Sequence, residues 1–329
     1  MKLLVISNNP ERPSYRQRVG IYIERLCAEG FEVELVKYPC SFFSRFKLFV
    51  KSGQYDGVFL HKKRLNFFDA FLLRKFARKI VYDFDDAVMY DDKRPGRNSS
   101  KRLMDFARTV KIADVVIAGN SYLADHAKKH NSNVEVLATG LDVDSYGVKA
   151  DRPDDGKVRL VWIGSKSTLM YLQELKEVLE EIGRRFDNVV LRIICDAFFE
   201  LENMEVEKVN WSLESQTVDL RQSDIGLAPL PDDNFSRGKC GFKILQYMAA
   251  SLPVVASPVG VNADLVKNGV SGYNAESPEQ WIAALNELID DKDMRTRMGT
   301  DARVNVGDYD LDIIGRKLVG VIQKTIEEK

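Results

Sequence analysis

Short apolar runs alternate with amphipathic stretches along residues 2–137 and again along 158–257, and this pattern constrains the chain more than any other feature. In the first half "KLLVIS" (2–7), "FEVELV" (31–36), "GVFL" (57–60), "KIVYDF" (79–84), "DVVIA" (114–118) and "VEVL" (134–137) read as strands. Helical periodicity lies between them at 14–29, 66–78, 99–112 and 121–130. In the second half "VRLVWIG" (158–164), "VVLRII" (189–194), "EKVNW" (207–211), "DIGLAPL" (224–230) and "PVVAS" (253–257) repeat the strand pattern. Helices are expected at 168–185, 241–251, 278–290, 293–305 and 311–327. Near-continuous apolar strands joined by helices predict parallel sheets covered on both faces. The polar stretch "KADRPDDGK" (149–157) separates the halves as a linker. The expected fold class is α/β, with two doubly wound Rossmann-like domains at 1–150 and 151–310.

A chain of 329 residues exceeds one ordinary core, which agrees with two domains. Its net charge of −1 hides an asymmetry: residues 1–150 hold 26 basic and 18 acidic side chains, the remainder 22 and 31. Residues 37–79 alone carry 11 basic residues against Asp56 and Asp69, which points to an anionic partner for the first half. Cys27, Cys40, Cys195 and Cys240 form no CxxC or zinc-like spacing and read as free thiols of a reducing compartment. The uncharged window Ile244–Ala263 is divided by Pro253, Pro258 and Gly260, which excludes a membrane span there. The opening segment is too short in apolar residues for a signal-peptide core. A cytoplasmic protein is expected.

Four segments carry candidate chemistry. In "VWIGSKSTLMYL" (161–172) a strand ends at Gly164, and Ser165, Lys166, Ser167 and Thr168 lead into a helix. Such a turn either cradles a phosphate or is a serine- or threonine-capped helix start with an exposed lysine. In "GKCGFKILQYMAASLPVVAS" (238–257) Lys239 and Lys243 flank Gly241, and Gln246 lies one turn deeper. They either hold phosphate and a sugar hydroxyl or form a solvated polar face. In "VYDFDDAV" (81–88) Asp83, Asp85 and Asp86 stand at a strand's carboxyl end, as a metal site, as the Asp-x-Asp of a haloacid-dehalogenase-like phosphatase (Asp83 and Asp85), or with Asp86 or a neighbour capping a loop; a site role without metal is expected. In "SFFSRFKLFVK" (41–51) phenylalanines interleave with basic residues, either lying on an anionic membrane surface or packing inward as an ordinary amphipathic helix. His61 in "FLHKKR" ends a strand and is a site candidate, whereas His126 and His130 read as surface residues. No nucleic-acid-binding signature is present.

Taken in order, these segments resemble a family-4 (group 1) glycosyltransferase with the GT-B fold, two Rossmann-like domains facing a central cleft. The most specific part is "DIGLAPLPDD…GKCGFKILQYMAASLPVVASPVGVNADLVKNGVSG", which is similar to the family's nucleotide-sugar segment. "SPEQWIAALNELIDDKDMRTRMGTDAR", "WIGSKSTLMYL" and "GNSYLADHA" resemble flanking parts of such enzymes. The resemblance implies a retaining, metal-independent transfer from a nucleoside diphosphate sugar, which is a substrate, so no cofactor is expected. It implies donor contacts from Gly164, Ser165, Lys166, Ser167, Thr168, Lys239, Cys240, Gly241, Phe242, Lys243 and Gln246. Gln246 and Gly238 stand where the family has a pair of glutamates. Asp85, Asp86 and His61 are implied near the reacting centre, and Arg16 and Arg18 against an anionic acceptor or the leaving diphosphate. The acceptor is expected to be a cell-surface glycan or lipid-linked molecule, with peripheral membrane contact through 41–51. The last helix, 311–329, is expected to pack on the first domain. A phosphatase, or a nucleotide-sugar-binding protein without catalysis, are the alternatives.

Overall fold

The computed structural model describes residues 1–11, 13–91, 99–147 and 155–328. The linker expected at 149–157 lies outside the described residues as far as residue 154. The chain forms two compact units. The first comprises Met1–Gly140, Asp233–Cys240 and Leu311–Lys329, and the second Leu141–Asp232 and Gly241–Asp310.

The first unit holds six parallel strands: β1 (Lys2–Ser7), β2 (Glu32–Lys37), β3 (Gly57–His61), β4 (Ile80–Phe84), β5 (Val115–Ala118) and β6 (Val134–Val136). Their order is β2-β1-β3-β4-β5-β6, so the order of strand addition reverses between β1 and β3. Central strands β3, β4 and β5 are buried at every position, as a sheet with two covered faces requires. One face packs on helices Phe42–Ser52, Phe67–Phe76, Ser100–Ile112 and Ser121–Lys128 through Phe49, Leu73, Phe106 and Leu123. The other is covered by Tyr15, Tyr22 and Leu26, and by the last helix, Leu311–Glu327, through Ile314, Leu318 and Ile322. A Cβ on Gly57 would lie 2.8 Å from the Ile326 side chain, so this helix lies close against the β3 backbone.

The second unit holds β7 (Val158–Ile163), β8 (Val189–Cys195), β9 (Glu205–Asn210), β10 (Ile225–Ala228), β11 (Val254–Ala256) and β12 (Gly272–Asn274), all parallel in the order β12-β11-β10-β7-β8-β9. The order reverses between β7 and β10. Strand β12 escapes a periodicity reading because it has only three residues and begins with a glycine at φ +149°. The stretch 14–29, expected as one helix, divides into Pro13–Arg18 and Ile23–Ala28 around a turn at Gly20–Tyr22.

At the reversal in the second sheet, β7 and β10 pair only at Ile225–Leu160 and Gly226–Val161. Beyond that point the strands part, and the Tyr247 hydroxyl fills the gap. It accepts from the Ile163 amide at 3.1 Å and donates to the Leu227 carbonyl at 3.1 Å. Tyr247 is fully buried, and its ring lies against Gly226, where a Cβ would meet it at 2.5 Å. Phenylalanine at this position would leave a buried N–H and C=O unpaired, a cost of about 1–3 kcal/mol. Trp162, Trp211 and Trp281 all lie in the second unit, so tryptophan fluorescence reports that unit alone. Tyr247→Phe should lower the urea midpoint of the fluorescence transition by that amount of stability, and an unchanged midpoint would show that the bridge carries no weight.

Candidate functional site

Helix-covered parallel strands leave polar side chains little room except at their carboxyl ends, and the first unit collects a charged cluster there. His61 ends β3, and Asp83 is next to last in β4, with Asp85 and Asp86 just beyond it. Lys62 follows His61 with φ +56°, a left-handed conformation that a lysine adopts at a cost. That turn sends its ammonium to Asp85, 2.8 Å away, and to Asp86. Ser14 donates to Asp85 at 2.8 Å and accepts from Lys62 at 3.1 Å. Burial is the largest influence on the Asp85 carboxyl and would raise it, but the neighbouring positive charges, Lys62 foremost, together with the Lys62 hydrogen bond outweigh burial and hold Asp85 well below the usual carboxylate range. Lys62 is held above its ordinary value, because Asp85 and Asp86 together outweigh its own burial.

His61 is buried between two hydroxyls, with Ser7 Oγ 3.2 Å from Nδ1 and Ser14 Oγ 3.5 Å from Nε2. Burial pushes its pKa down against the pull of Asp83 and Asp85, so it is a neutral imidazole at neutral pH. Ser7 ends β1, so the His61–Ser7 contact lies at the reversal point of the first sheet.

Two readings of the sequence change here. Arg18 is 4% exposed and donates to Asp83 through two nitrogens and to the Leu137 carbonyl at 2.7 Å. It is a buried structural cation and is not free to hold an acceptor or a diphosphate. Its partner Asp83 is 1% exposed, which removes the nucleophile that the phosphatase alternative needs. Arg16, on the same short helix, is half-buried.

Lys239 and Cys240 also move. They belong to the segment Asp233–Cys240, which is part of the first unit and not of the second domain expected over 151–310. Lys239 Nζ lies 2.9 Å from Asp86 and 4.5 Å from the Phe235 ring centroid. The Cys240 thiol donates to the Asp85 carbonyl at 3.1 Å, and burial keeps it protonated. Asn120 donates to the Lys239 carbonyl at 3.0 Å and fixes the segment from β5. Nothing in the apolar periodicity reveals this, because an eight-residue excursion between domains has no period.

In the second unit the helix Phe242–Ala249 begins at Gly241, whose φ of +65° favours glycine. Lys243, in its first turn, places Nζ 4.0 Å from the ring centroid of buried Trp162. A Cβ on Gly164 would lie 2.8 Å from that Nζ and 2.6 Å from the Trp162 ring, so glycine is required where loop and lysine meet. The geometry therefore joins the two segments singled out as phosphate-binding, with Trp162 as an unforeseen floor. The loop itself is more occupied than expected. The Lys166 amide donates to Asp196 at 2.7 Å, the Ser165 amide to Thr168 at 3.3 Å, and the Gly164 amide to the Ile194 carbonyl at 3.0 Å. Ser165, Lys166 and Ser167 remain exposed.

Gln246 is 4% exposed, so the alternative of a solvated polar face does not hold. Its amide nitrogen donates to the Tyr146 hydroxyl at 3.0 Å and to Gln216 Oε1 at 3.2 Å. This use of both N–H groups fixes the amide's orientation and leaves Oε1 as its acceptor.

Residues 157–291 match the family model described as Glycosyl transferases group 1. The D-inositol 3-phosphate glycosyltransferase of Corynebacterium glutamicum is 26% identical over 245 residues, 64% of this chain and 57% of that protein. The enzyme of the same description from Thermobispora bispora is 28% identical over 109 residues, 32% of this chain and 24% of that protein. The chain thus spans less than two thirds of the length of either relative. Among solved structures, Anabaena Alr3699/HepE in complex with UDP superposes with a TM-score of 0.77 at 16% identity, covering 98% of this chain and 100% of that one. The two six-stranded parallel sheets with flanking helices are those of the GT-B fold.

The His61 environment has a measurable consequence. Its folded pKa lies below its unfolded value of about 6.5, so the unfolded chain takes up the proton first. Stability contributed by neutral His61 is therefore complete above about pH 6.5 and lost as pH falls through and below that value. His61→Asn should flatten this part of the stability–pH curve relative to the unaltered protein, measured by urea melts between neutral and mildly acidic pH. Parallel curves for the two proteins would refute the assignment.

Proposed function

We propose that this chain is a glycosyltransferase of the group 1, family-4 type, moving a sugar from a nucleoside diphosphate sugar to an acceptor hydroxyl with retention at the anomeric carbon and without a divalent metal. The observation that carries the reading is the meeting of Gly164, Lys243 and the start of the helix Phe242–Ala249, inside the segment that matches the transferase family. A lysine in a helix's first turn opposes the helix dipole, and a diphosphate bound there turns this opposition into attraction from both sources. Lys243 and the Phe242 amide take the diphosphate, and exposed Lys166 and Ser167 add contacts at the loop. Gln246 Oε1 accepts from a sugar hydroxyl of the nucleoside, the work given to a glutamate elsewhere in the family. The Anabaena neighbour's complexes with UDP and UDP-glucose favour a uridine donor.

In the transfer, the bond from the anomeric carbon to the diphosphate breaks as the bond to the acceptor oxygen forms on the same face, and the acceptor hydroxyl's proton passes to the departing diphosphate oxygen. The departing negative charge is stabilised by Lys243 and the helix amides. Asp85, Asp86 and neutral His61 are the residues we assign to contacting the reacting sugar, with Lys62 and Lys239 fixing the two carboxylates. Arg16 is retained as a contact for an anionic acceptor. The acceptor is a cell-surface glycan or a lipid-linked carrier. The chain works in a reducing compartment, the cytoplasm, where its four free cysteines persist.

A thermal-shift screen against UDP-, GDP-, dTDP- and ADP-sugars identifies the donor, since a ligand at one hundred times its Kd adds about 2.7 kcal/mol of stability. With that donor, Lys243→Ala should weaken binding about tenfold to a hundredfold by calorimetry, the loss expected for a charged hydrogen bond. Lys267→Ala, a surface change in the same unit, should leave binding unaltered. Equal effects would sink the phosphate assignment, and donor binding with neither hydrolysis nor transfer would make the chain a nucleotide-sugar-binding protein.

A further inference from the structure

The helices Phe42–Ser52, Phe67–Phe76 and Ser100–Ile112 cover one face of the first sheet, and their outward residues are unusual. Every exposed phenylalanine among the described residues lies on the first two: Phe42, Phe43 and Phe46, then Phe67, Phe68 and Phe71, from 42% to 79% exposed. Leu103 and Met104 on the third are exposed as well. All eight fall within the first five residues of their helices. The last residues of these helices lead directly into the starts of β3, β4 and β5, so their first turns stand at the strands' carboxyl ends. The apolar side chains therefore gather at the end of the unit where His61, Lys62, Asp85 and Asp86 lie. Phe46 meets Phe76 at 6.5 Å between ring centroids, and the Arg108 guanidinium lies 5.9 Å from the Phe67 ring, which ties the helices together.

The same three helices carry nine basic and two acidic residues, a net charge of +7. Asp69 pairs with Arg45 at 3.0 Å and Asp105 with Arg108 at 2.7 Å, and Lys51, Arg74 and Arg102 meet Glu34, Asp114 and Asp91 outside these helices, so the outward positive charge is that of Lys47, Lys75, Lys101 and Lys111. Exposed aromatic side chains within a field of cations are the two signals that together hold a protein on an anionic lipid surface. A second copy of the chain fits less well, since a two-fold contact would set the same lysines against one another.

We infer that this three-helix rim is a docking surface for an anionic bilayer, seating the phenylalanines among the head groups with the strand-end cluster turned toward the lipid. The inference extends the basic-aromatic stretch 41–51 to two further helices, and it rests on the surface itself and not on the transfer reading. The test is co-sedimentation of the full chain with phosphatidylcholine vesicles, with and without phosphatidylglycerol, across a salt series. Binding is expected only with the anionic lipid, falling as salt rises. The pair Phe43→Ser and Phe68→Ser, and separately Lys47→Glu and Lys101→Glu, should each weaken binding about tenfold or more, with unchanged thermal melts. Failure to sediment, equal binding to both vesicles, or binding that either pair leaves intact would overturn the inference. Concentration-dependent doubling of the mass in light scattering, abolished by the phenylalanine pair, would overturn it in favour of a second copy.

Discussion

Both sheets are sealed by helices on their two faces, so side chains that need water or a ligand are driven to the ends of the strands. Within the central strands the rule has few exceptions. Asp83, held by Arg18, lies inside β4, and Arg159 and Arg192 on β7 and β8 share Glu207 on β9. Between their ends the central strands are otherwise built almost wholly of apolar residues, and the ionisable groups His61, Lys62, Asp85 and Asp86 crowd one end of the first sheet. Each sheet then reverses its strand order once, and at each reversal the diverging strands leave polar backbone to be satisfied. A tyrosine hydroxyl does this in the second unit. In the first, the ends of β1 and β3 are joined by a serine and a neutral histidine.

The charged cluster at the end of the first sheet is internally balanced rather than open. Asp85 and Asp86 share Lys62, Asp86 also meets Lys239, and Ser14 fills the remaining space on Asp85. Groups arranged in this way hold fixed charge and orientation well. They serve poorly as mobile proton carriers, because each proton removed or added breaks a buried pair. This suits electrostatic positioning of a reacting sugar better than general acid–base chemistry.

Much of this was legible in the sequence, since strand and helix periods depend on local spacing. The strands from "KLLVIS" to "PVVAS" stand within a few residues of their expected places, and Gly164 and Lys243 stand out in the sequence although their proximity does not. The failures share a cause, for each depends on a partner distant in the chain. Arg18 looked available until Asp83, 65 residues away, claimed it. Gln246 had two readings, a sugar contact or a solvated face, and only the distant Tyr146 and Gln216 that enclose it exclude the second. Phe42, Phe43 and Phe46 had two readings, inward or outward. The helix settles them by turning Leu48, Phe49 and Ser52 to the core and leaving the three phenylalanines exposed. Lys62 went unnoticed between His61 and Lys63, because only its backbone conformation distinguishes it.

The last helix has a consequence for how the protein is made. Leu3, Val5, Phe59 and Val81 on one face of the first sheet are covered in part by Ile314, Leu318, Val319 and Ile322. On a ribosome, that face is synthesised early and its cover comes only after Asp310. The first sheet therefore waits, with apolar surface open to solvent, while the second unit is translated. Apolar surface left open in this way is what chaperones recognise on a chain still being made.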